Sequence, residues 1–545
     1  MSEAPLPAAD AKDTYARNAA VMTVGTSLSR FTGFLRIATQ TAVLGVTANA
    51  LADTYNTANT TPNILYELAL GGILTSVFVP LFVEWMRRNG REDSWRVADR
   101  VLTLAAVGLS AIALLGAIFA PWIIRLYNSA MNAPDRQQQI ELGTFFLRWF
   151  MPQIVFYGIG AIAGGLLNAN RRFAAPMFAP ILNNVVVIAT FGLYAWMLHG
   201  AKPSVEGITG AQKAVLALGT TLGVVAMTVA LWPSLRRMGY RWHLRFDWNH
   251  PALRRLARLA GWVFLYVAAN QAAYFIVIIL CRHVQQGGIT AYAAAFIIFS
   301  LPHAIFVVSI FTALLPGMSA QWADGKPDGV LRLFSRGVRD TAVIILPAAA
   351  GLIALALPLC RLIFEHVHSG ATDAALIAHT LQAFAVGLPF FSTFQLLTRT
   401  FYSMQDTRTP ALVNVAAAAV NVGADLLFAL GFGWGIPGLA LGFSLSYVFG
   451  TAVMLVILHG RLGGLDAGRV GRTLWKAALA AVVSGGLAYA ASQVIEHAVS
   501  GTWAQLATVI VSVSVGVLAF VVTALIVRIE EVEDIRGAMV RRFRT

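Results

Sequence analysis

The chain has 545 residues, of which 57% are hydrophobic and only 12% are charged, and its mean hydropathy is +0.68. Because a soluble globular protein is about half apolar and about a quarter charged, this composition excludes an ordinary soluble enzyme and a disordered chain. A membrane-spanning helix needs about 20 apolar residues, so the length allows about 14 helices and no large soluble domain. The two cysteines, Cys281 and Cys360, are too few for a disulfide framework or a four-cysteine metal site.

In chain order, the sequence contains fourteen apolar stretches that are long enough to cross a bilayer. The first, 19–44, follows a polar tail that lacks the features of a cleaved signal peptide, so we expect it to be retained. Continuous apolar runs favour helices over a transmembrane β-barrel. The sequence therefore predicts an all-α polytopic membrane protein with 14 transmembrane helices. The other thirteen stretches are 51–85, 101–127, 142–167, 176–199, 211–235, 259–281, 289–320, 341–364, 374–403, 410–432, 435–458, 474–495 and 502–527.

The basic residues are distributed unequally between the two sides of these stretches. Of the 40 Lys and Arg residues, 31 fall on the side of the N-terminus, seven fall on the other side, and Arg30 and Arg36 lie inside the first stretch. Because cytoplasmic loops carry the excess of Lys and Arg, this distribution predicts that the N- and C-termini are cytoplasmic. The net charge of +14 is then a topological signal, and we expect no nucleic acid as a partner.

Two polar turns indicate an internal repeat. The turn 168–176 ends in Pro176, the turn 402–410 ends in Pro410, and both enter the next apolar stretch at an offset of 234 residues. The sequence therefore predicts two pseudo-symmetric six-helix lobes followed by two further helices, which is a plan found in transporters. The predicted boundaries are a cytoplasmic tail at 1–18, an N-lobe at 19–240, a cytoplasmic amphipathic linker at 241–258, a C-lobe at 259–462, the last two helices at 463–530 and a basic cytoplasmic tail at 531–545.

Arg30 and Arg36 lie about 12–16 Å from the nearer membrane surface at a rise of 1.5 Å per residue. A side chain can reach only part of that distance towards water, so intramembrane arginines usually serve a function. A guanidinium stays charged, and its planar fork matches the geometry of a phosphate. We therefore predict an anion site in a water-filled cavity, with a buried structural pair as the alternative.

Three polar residues of the second stretch are further candidates for this site. Asp53 is expected to be a helix cap or the partner of a gate, and Asn63 follows a proline that indicates a bent or closely packed helix. Glu67 lies near the middle of the stretch and needs a partner, for which Arg30 or Arg36 is the nearest candidate.

In the eleventh stretch, Asn421 and Asp425 are four residues apart and therefore share one helix face. Oxygen ligands at this depth suit Na⁺ or a proton, although a plain interhelical hydrogen bond is an equal alternative. The sequence has neither a phosphate-binding P-loop nor an H-E-x-x-H pair. We therefore predict that the protein is not an enzyme, that it has no cofactor or certain metal site, and that Na⁺, H⁺ or the membrane potential drives it.

Several motifs resemble the MurJ (MviN) family of lipid II flippases, in the multidrug/oligosaccharidyl-lipid/polysaccharide exporter superfamily. The opening Ser29-Arg-Phe-Thr-Gly-Phe-Leu-Arg36, followed by Pro62-Asn-Ile-Leu65 and Phe78-Val-Pro80, is similar to the start of that family. Phe401-Tyr-Ser-Met-Gln-Asp-Thr-Arg-Thr-Pro410 resembles its inner turn in the second half, and Leu314-Leu-Pro316 resembles the end of its eighth helix. The resemblance extends over about residues 15–530.

The resemblance implies a multi-pass protein of the bacterial cytoplasmic (inner) membrane, acting in peptidoglycan biosynthesis. It implies two six-helix lobes around a cationic cavity, with the last two helices forming a groove for the lipid tail. Lipid II, an undecaprenyl-pyrophosphate glycolipid, would move from the inner to the outer leaflet by alternating access. Arg30 and Arg36 match positions that bind the pyrophosphate, Asp53 matches an important acid, and Asn421 and Asp425 match part of a sodium site. Membrane lipids and proteins of cell-wall synthesis and division are the implied partners.

The sequence departs from the family pattern at Tyr66 and Ile297, where many members have arginine. It also has Ile37 and Val277 where an acid is common. Three alternatives therefore stay open beside a lipid II flippase: a flippase for another prenyl-pyrophosphate-linked glycan, a non-transporting scaffold of the cell-wall machinery, and a cation-coupled drug exporter. Arg30 and Arg36 argue against the drug exporter, which needs acids in the first lobe.

Overall fold

The computed structural model describes residues 8–47, 50–71, 79–131, 133–170, 172–247, 251–365, 370–498 and 503–533. All regular elements among these residues are helical. By their contacts the residues divide into two compact units. The first unit comprises Met1–Leu44 and Asn49–Gln271, and the second comprises Gly45–Ala48 and Ala272–Thr545.

The first unit contains nine helices in the described residues, followed by the beginning of a tenth that continues into the second unit. Its buried core near the predicted cytoplasmic end joins α3, α6 and α9 through large side chains such as Phe82, Leu166 and Tyr240. The helices are α1 (Ala8–Leu44), α2 (Leu51–Tyr66), α3 (Val79–Ile118), α4 (Ala120–Tyr127), α5 (Arg136–Phe150), α6 (Gln153–Ala169), α7 (Ala174–Met197), α8 (Gly210–Val229), α9 (Trp232–Arg237) and α10 (Pro251–Val284).

The second unit contains the end of α10 and nine further helices in the described residues. A dense aromatic cluster fills its centre, with Phe299, Phe384 and Phe443 in edge-on or stacked contact. The helices are α11 (Gly288–Pro302), α12 (Val308–Ala323), α13 (Pro327–Ala354), α14 (Ala356–Phe364), α15 (Ala371–Ser403), α16 (Arg408–Asp425), α17 (Gly435–Leu462), α18 (Ala467–Ala498) and α19 (Ala504–Ile526).

Twelve helical segments of the described residues are long and apolar enough to cross a membrane. They correspond in order to the third to fourteenth predicted spans, from Gly90–Ile118 to Ala504–Ile526. The first predicted span lies on α1. The second, 51–85, lies on α2, on the π-helical turn Glu67–Gly71 and on the start of α3, and its residues 72–78 are outside the described residues. Most of the basic tail, 534–545, and residues 1–7 of the N-terminal tail are also outside them. The count of fourteen spans and the sidedness of the termini therefore stay predictions.

The ends of the helices follow local sequence signals. Thr209 and Gln212 form a reciprocal capping box at the start of α8. Gly463 ends α17 in the left-handed conformation, with φ of 71°, which costs a glycine little. Gly90 interrupts α3 with φ of 80°, so the segment that begins the third span is set at an angle to the residues before it.

Proline and π-helical turns bend α2 and α11 in similar ways. Pro62 lies inside α2, which continues into a π-helical turn at Glu67–Gly71. Pro302 ends α11, which continues into a π-helical turn at His303–Val307. A proline removes one backbone hydrogen bond, and a π-turn accommodates the extra residue, so both helices deviate from regular winding where polar residues lie.

The two polar turns that indicate a repeat have the same backbone hydrogen bonds. In the first unit the N–H of Arg172 donates to Leu167 O over 2.9 Å, and in the second the N–H of Asp406 donates to Phe401 O over 3.0 Å. Arg172 and Asp406 are 234 positions apart, and so are Leu167 and Phe401. This is also the offset between the two prolines that end the turns. The local conformation of the two turns therefore repeats at the spacing that the sequence indicates.

The segment predicted as an amphipathic linker begins as an irregular strap that packs against the middle of α3. Buried Asp99 accepts hydrogen bonds from the Tyr240 hydroxyl over 2.8 Å and from the N–H of His243 over 3.2 Å. Trp242 Nε1 donates to the hydroxyl of Thr103 over 3.2 Å. Residues 248–250 are outside the described part, and α10 begins at Pro251, so the later part of the predicted linker belongs to a long helix.

Candidate functional site

The two intramembrane arginines lie on one continuous helix, α1. Six residues at 100° each place Arg30 and Arg36 about 120° apart around that helix, and about 9 Å apart along it. Arg30 is exposed on the surface of the unit, whereas Arg36 is partly buried. Large apolar side chains line a third direction of the helix, with Phe31 56% exposed and Val24 58% exposed. The two cations thus lie on different sides of α1.

Asn184 on α7 fixes the part of α1 that carries Arg30. Its Nδ2 donates to the backbone oxygen of Ser29 over 3.2 Å and to the hydroxyl of Thr32 over 3.0 Å. The helices can approach this closely because Gly25 has no Cβ, which would lie 2.8 Å from the Cβ of Met177. Interhelical hydrogen bonds and small residues are the usual means of helix association in membranes. Asn184 therefore sets the rotation and height of α1 at its first arginine.

Arg36 lies among polar side chains of α2 and α6. Its charge is close enough to the hydroxyls of Tyr55 and Tyr157 to interact with both electrostatically. The Tyr157 hydroxyl is hydrogen-bonded to the side chain of Asn63, one of the predicted site residues. A cation beside the Tyr157 phenol and the Asn63 amide is an arrangement that binds an anion, since a guanidinium, a phenol and an amide can each donate a hydrogen bond to oxygen.

Tyr66, one of the positions at which the sequence departs from the motif that it resembles, belongs to the same cluster. Its ring packs on Tyr157 with 5.6 Å between the ring centroids. The side chain therefore fills space against the ring of Tyr157. Arg36 is thus the cation of this cluster among the described residues, and Tyr66 contributes packing rather than charge.

Tyr55 is held rigidly in this cluster. Its hydroxyl and the hydroxyl of Thr220 on α8 are 2.6 Å apart. Its ring is in edge-on contact with Phe146, Phe150 and Phe191, at centroid distances between 5.5 and 5.8 Å. A tyrosine with a fixed ring and a satisfied hydroxyl provides a fixed wall beside Arg36.

The other two predicted residues of the first unit have different surroundings. Asp53 is buried in the first turn of α2, with 2% of its surface exposed, where a carboxylate is favoured by the helix dipole. Glu67 is partly buried at the start of the π-helical turn and forms no ion pair with Arg30 or Arg36. The expected pairing of Glu67 with an arginine is therefore not formed among the described residues. The carboxylate is instead close enough to Tyr66 to interact with it electrostatically.

In the second unit, Asn421 and Asp425 share one face of α16, as their spacing predicts. Asn421 Nδ2 donates to Asp425 Oδ1 over 3.0 Å, and Asp425 is completely buried. The second carboxylate oxygen, Oδ2, is buried without a hydrogen-bond partner. Tyr292 on α11 lies close enough to interact with the carboxylate electrostatically. A buried oxygen without a partner is costly unless a proton or a cation satisfies it.

Gly442 on α17 makes room for Asp425. A Cβ at Gly442 would lie 2.0 Å from Asp425 Oδ1 and 3.1 Å from its carboxyl carbon. Side chains at these two positions therefore compete for the same space. Within the described residues, no group of three or more His, Cys, Asp and Glu side chains could hold a metal ion. Any cation at Asp425 would thus depend on one carboxylate and on amide, hydroxyl or carbonyl oxygens.

Sequence reasoning did not identify several residues that form these two sites. Tyr55 and Tyr157 lie in predicted spans as ordinary aromatic residues, and Gly442 lies in a span with several glycines. Asn184 was noticeable as an asparagine that follows the repeated turn, but its bond to α1 depends on tertiary packing. A phenol within an otherwise apolar span was the signal available for the two tyrosines, since a buried hydroxyl needs a partner.

The chain matches known proteins over most of its length. The family model described as "Lipid II flippase MurJ" matches residues 41–523. A probable lipid II flippase MurJ of Vibrio cholerae is 25% identical over 81% of this chain and 82% of the relative. A lipid II flippase MurJ of Burkholderia cenocepacia is 26% identical over 75% of this chain and 78% of the relative. A probable lipid II flippase MurJ of Thermotoga maritima is 23% identical over 94% and 96% of the two chains.

Solved structures show the same fold. A lipid II flippase MurJ in an inward closed conformation has a TM-score of 0.74 and 20% identity, over 93% of this chain and 98% of the other. An inward-facing multidrug resistance transporter of the MATE family has a TM-score of 0.66 and 14% identity, over 81% and 99%. With the family match over most of the chain, these results show that the chain belongs to the lipid II flippase MurJ family and is a multi-pass protein of the bacterial inner membrane.

Proposed function

We propose that this protein moves lipid II from the inner to the outer leaflet by alternating access, with its pyrophosphate bound by Arg30 and Arg36. The observation that carries the proposal is the setting of Arg36, which lies beside the hydroxyls of Tyr55 and Tyr157 within a membrane-spanning bundle. An isolated ion loses tens of kcal/mol of solvation in hydrocarbon. A charged fork beside the Tyr157 hydroxyl replaces part of that lost solvation.

The remaining predicted residues have supporting roles in this proposal. Asn63 orients Tyr157, Asp53 stabilises the start of α2, and Glu67 contributes a polar group near the anion. In this proposal the protein is a transporter and catalyses no chemical reaction. Fourteen helices, with both termini cytoplasmic, form lobes at 19–240 and 259–462, joined by the linker 241–258. The helices at 463–530 form the groove for the lipid tail, and proteins of cell-wall synthesis and division are partners.

Coupling to H⁺ or Na⁺, or to the membrane potential, would involve the second unit. The partnerless Oδ2 of buried Asp425 supports this part of the proposal, because either a proton or a monovalent cation would satisfy it. Asn421 would hold the other carboxylate oxygen in place through its 3.0 Å hydrogen bond.

The proposal is tested by replacing a depleted lipid II flippase in living bacteria with this protein. The Arg30→Ala, Arg36→Ala double variant is run alongside at matched expression, with Arg148→Ala as a control for the loss of an exposed arginine. Rescue by wild type and by the control, with failure of the double variant, is the expected result. Equal rescue by all three proteins would exclude pyrophosphate binding by these arginines and favour a scaffold.

A second candidate is a flippase for another prenyl-pyrophosphate-linked glycan. The packing of Tyr66 on Tyr157 favours it, because an aromatic residue stands where many members have a cation. The same arginines would bind the same pyrophosphate, and the glycan would differ. Absence of rescue, with normal insertion and with binding of other prenyl-pyrophosphate glycans to the purified protein, would select this candidate.

A further inference from the structure

A shallow cleft lies at the ends of α18 and α19 in the second unit. Four basic side chains line it, together with Glu530 and the side chains of Thr473 and Ile529; the basic residues are Arg469, Arg472, Lys476 and Arg528. Enclosed ligand pockets for drug-sized molecules are about 300–1000 Å³, and this cleft is far smaller, so it suits one charged group held at the protein surface. It belongs to neither of the two sites described above.

The geometry of the cleft directs the basic groups towards one another. Arg469, Arg472 and Lys476 are three and four residues apart on α18, so they lie on one helix face. Arg528 follows the end of α19, where the N–H of Ile529 donates to Ala524 O over 3.0 Å and closes the helix. Lys476 Nζ donates to the backbone oxygen of Arg528 over 2.6 Å, which ties the two helix ends together.

Arg528 has an unusual backbone conformation. Its φ of 53° is in the left-handed region, at the position after a helix where glycine is the usual residue. A side chain with a Cβ is disfavoured there, and such positions in proteins are frequently connected with function. An arginine thus occupies a position where a glycine would be less strained, and Arg528 lines the basic cleft.

The acidic groups nearby do not neutralise this cleft. Arg339 on α13 pairs with buried Glu531, and its Nη1 is 3.7 Å from Glu530. Thr473 donates to Glu531 as well. In the part of the chain that the structure describes, the four basic residues of the cleft form no ion pair with a carboxylate. The cleft thus has a surplus of positive charge, which an anion from outside the chain would balance.

The position of the cleft indicates which anion is available. Trp475, next to Lys476, is 68% exposed at the beginning of an apolar helix, as aromatic residues are at a membrane interface. Basic pockets between membrane helices on the cytoplasmic side bind anionic head groups. We propose that this cleft binds the phosphodiester head group of an anionic phospholipid at the predicted cytoplasmic surface, separately from the transported substrate.

The test measures lipid binding by the purified full-length protein in neutral detergent, using native mass spectrometry. The probes are phosphatidylglycerol, zwitterionic phosphatidylcholine and inorganic phosphate. Arg472→Gln and Arg528→Gly are each expected to weaken phosphatidylglycerol binding about fivefold, since one basic residue near an anionic surface contributes about that factor. Arg237→Gln, which removes an exposed arginine at the end of α9, is the matched control and should bind as wild type does.

Arg528→Gly also separates lipid binding from folding. Glycine accepts the left-handed conformation, so the lipid-free variant should have a Tm at least equal to that of wild type. Unchanged phosphatidylglycerol affinity in both cleft variants would overturn the proposal, and so would an equal loss in Arg237→Gln. Phosphatidylcholine binding as tight as that of phosphatidylglycerol, or displacement of phosphatidylglycerol by millimolar inorganic phosphate, would overturn the assignment to an anionic lipid.

Discussion

The guanidinium of Arg461 lies 2.6 Å from the carboxylate of Asp406, although the two residues are far apart in the chain. Asp406 also accepts hydrogen bonds from the N–H of Thr409 over 2.9 Å and from its hydroxyl over 2.6 Å. The Arg461 guanidinium lies 5.3 Å from the centre of the Phe401 ring. Asp406 thus caps the start of α16 and joins it to the end of α17.

The first prediction concerns Asp406 and pH. Burial raises the pKa of Asp406, but the hydrogen bonds from Thr409 and the charge of Arg461 together lower it by more. The net pKa is therefore below the ordinary value. The contribution to stability is therefore complete above the unfolded pKa of about 3.9, and it is lost as the pH falls through the lower folded value. Asp406→Asn should cost about 1 kcal/mol near neutral pH, since Arg461 is partly exposed.

The measurement for Asp406 is the Tm of both proteins in detergent between pH 3 and 8 (roughly the range in which carboxylates titrate). The difference in Tm should be constant above about pH 5 and should shrink below about pH 4. Asp406→Ala, which also loses the helix cap, should be less stable than Asp406→Asn. A difference that grows as the pH falls would contradict this assignment.

The second prediction concerns the space that Gly442 leaves for Asp425. Gly442→Ala should displace the carboxylate, because the added Cβ would lie 2.0 Å from its Oδ1. Overpacking of this kind costs about 1–3 kcal/mol, and we expect the dependence of transport on the H⁺ or Na⁺ gradient to weaken. Gly460→Ala on the same helix, where a Cβ meets open space, is the control. Both variants would be compared for Tm and for transport with and without each gradient.

If Gly442→Ala kept the stability and the gradient dependence of Gly460→Ala, the buried geometry of Asp425 would be incorrect. If it lost stability alone, Asp425 would be a structural residue, and coupling would have to be sought elsewhere.

The third prediction concerns the contact between α1 and α7. Asn184→Ala should lower transport activity, because the variant loses both bonds that position the segment around Arg30. Hydrogen bonds between membrane helices contribute about 0.6 kcal/mol on average, so the loss of stability should be small relative to the loss of activity. Val185→Ala, at an exposed neighbouring position, should retain both. Transport at matched expression and Tm would be measured together, and full activity of Asn184→Ala would contradict the positioning role.

The fourth prediction concerns the strap that follows α9. Tyr240→Phe removes the 2.8 Å hydrogen bond to Asp99 and leaves a buried carboxylate with one donor fewer. Such a loss costs about 1–3 kcal/mol. The burial of Tyr240 and the charge of Asp99 raise the pKa of this hydroxyl above its usual range, so it stays a donor throughout the physiological pH range. Tyr489→Phe, at an exposed position, should have the Tm of wild type, and equal Tm values for the two variants would contradict this role of the strap.

The helical fold was largely predictable from the sequence because hydrophobic runs are a local signal. Apolar stretches predicted twelve of the spans in order, and the offset of the two prolines predicted two turns with matching hydrogen bonds. The π-helical turns at Glu67 and His303 were not predicted, since they depend on how neighbouring helices satisfy displaced carbonyls. The contact of the strap with Asp99 was also not predicted, because the sequence of a short polar loop does not indicate which helix it contacts.

The candidate sites were predictable only where chemistry follows from position in the chain. Asn421 and Asp425 share a helix face because of their spacing, and in the structure Asn421 Nδ2 donates a hydrogen bond to Asp425 Oδ1. Arg36 was noticeable as a charge in an apolar stretch, but its neighbours Tyr55 and Tyr157 come from other helices. Glu67 was expected to pair with an arginine on proximity in the bilayer alone, and among the described residues it forms no ion pair with Arg30 or Arg36.

The most direct test of the account is the affinity of the purified protein for a prenyl-pyrophosphate glycolipid, compared with its monophosphate analogue. Wild type should bind the pyrophosphate more tightly than the monophosphate. The Arg30→Gln, Arg36→Gln double variant should lose about tenfold or more of this preference, because a hydrogen bond to a charged group contributes about 1.5–3 kcal/mol. Arg148→Gln should keep the full preference. An undiminished preference in the double variant, with normal folding, would contradict the central claim that these two arginines bind the pyrophosphate.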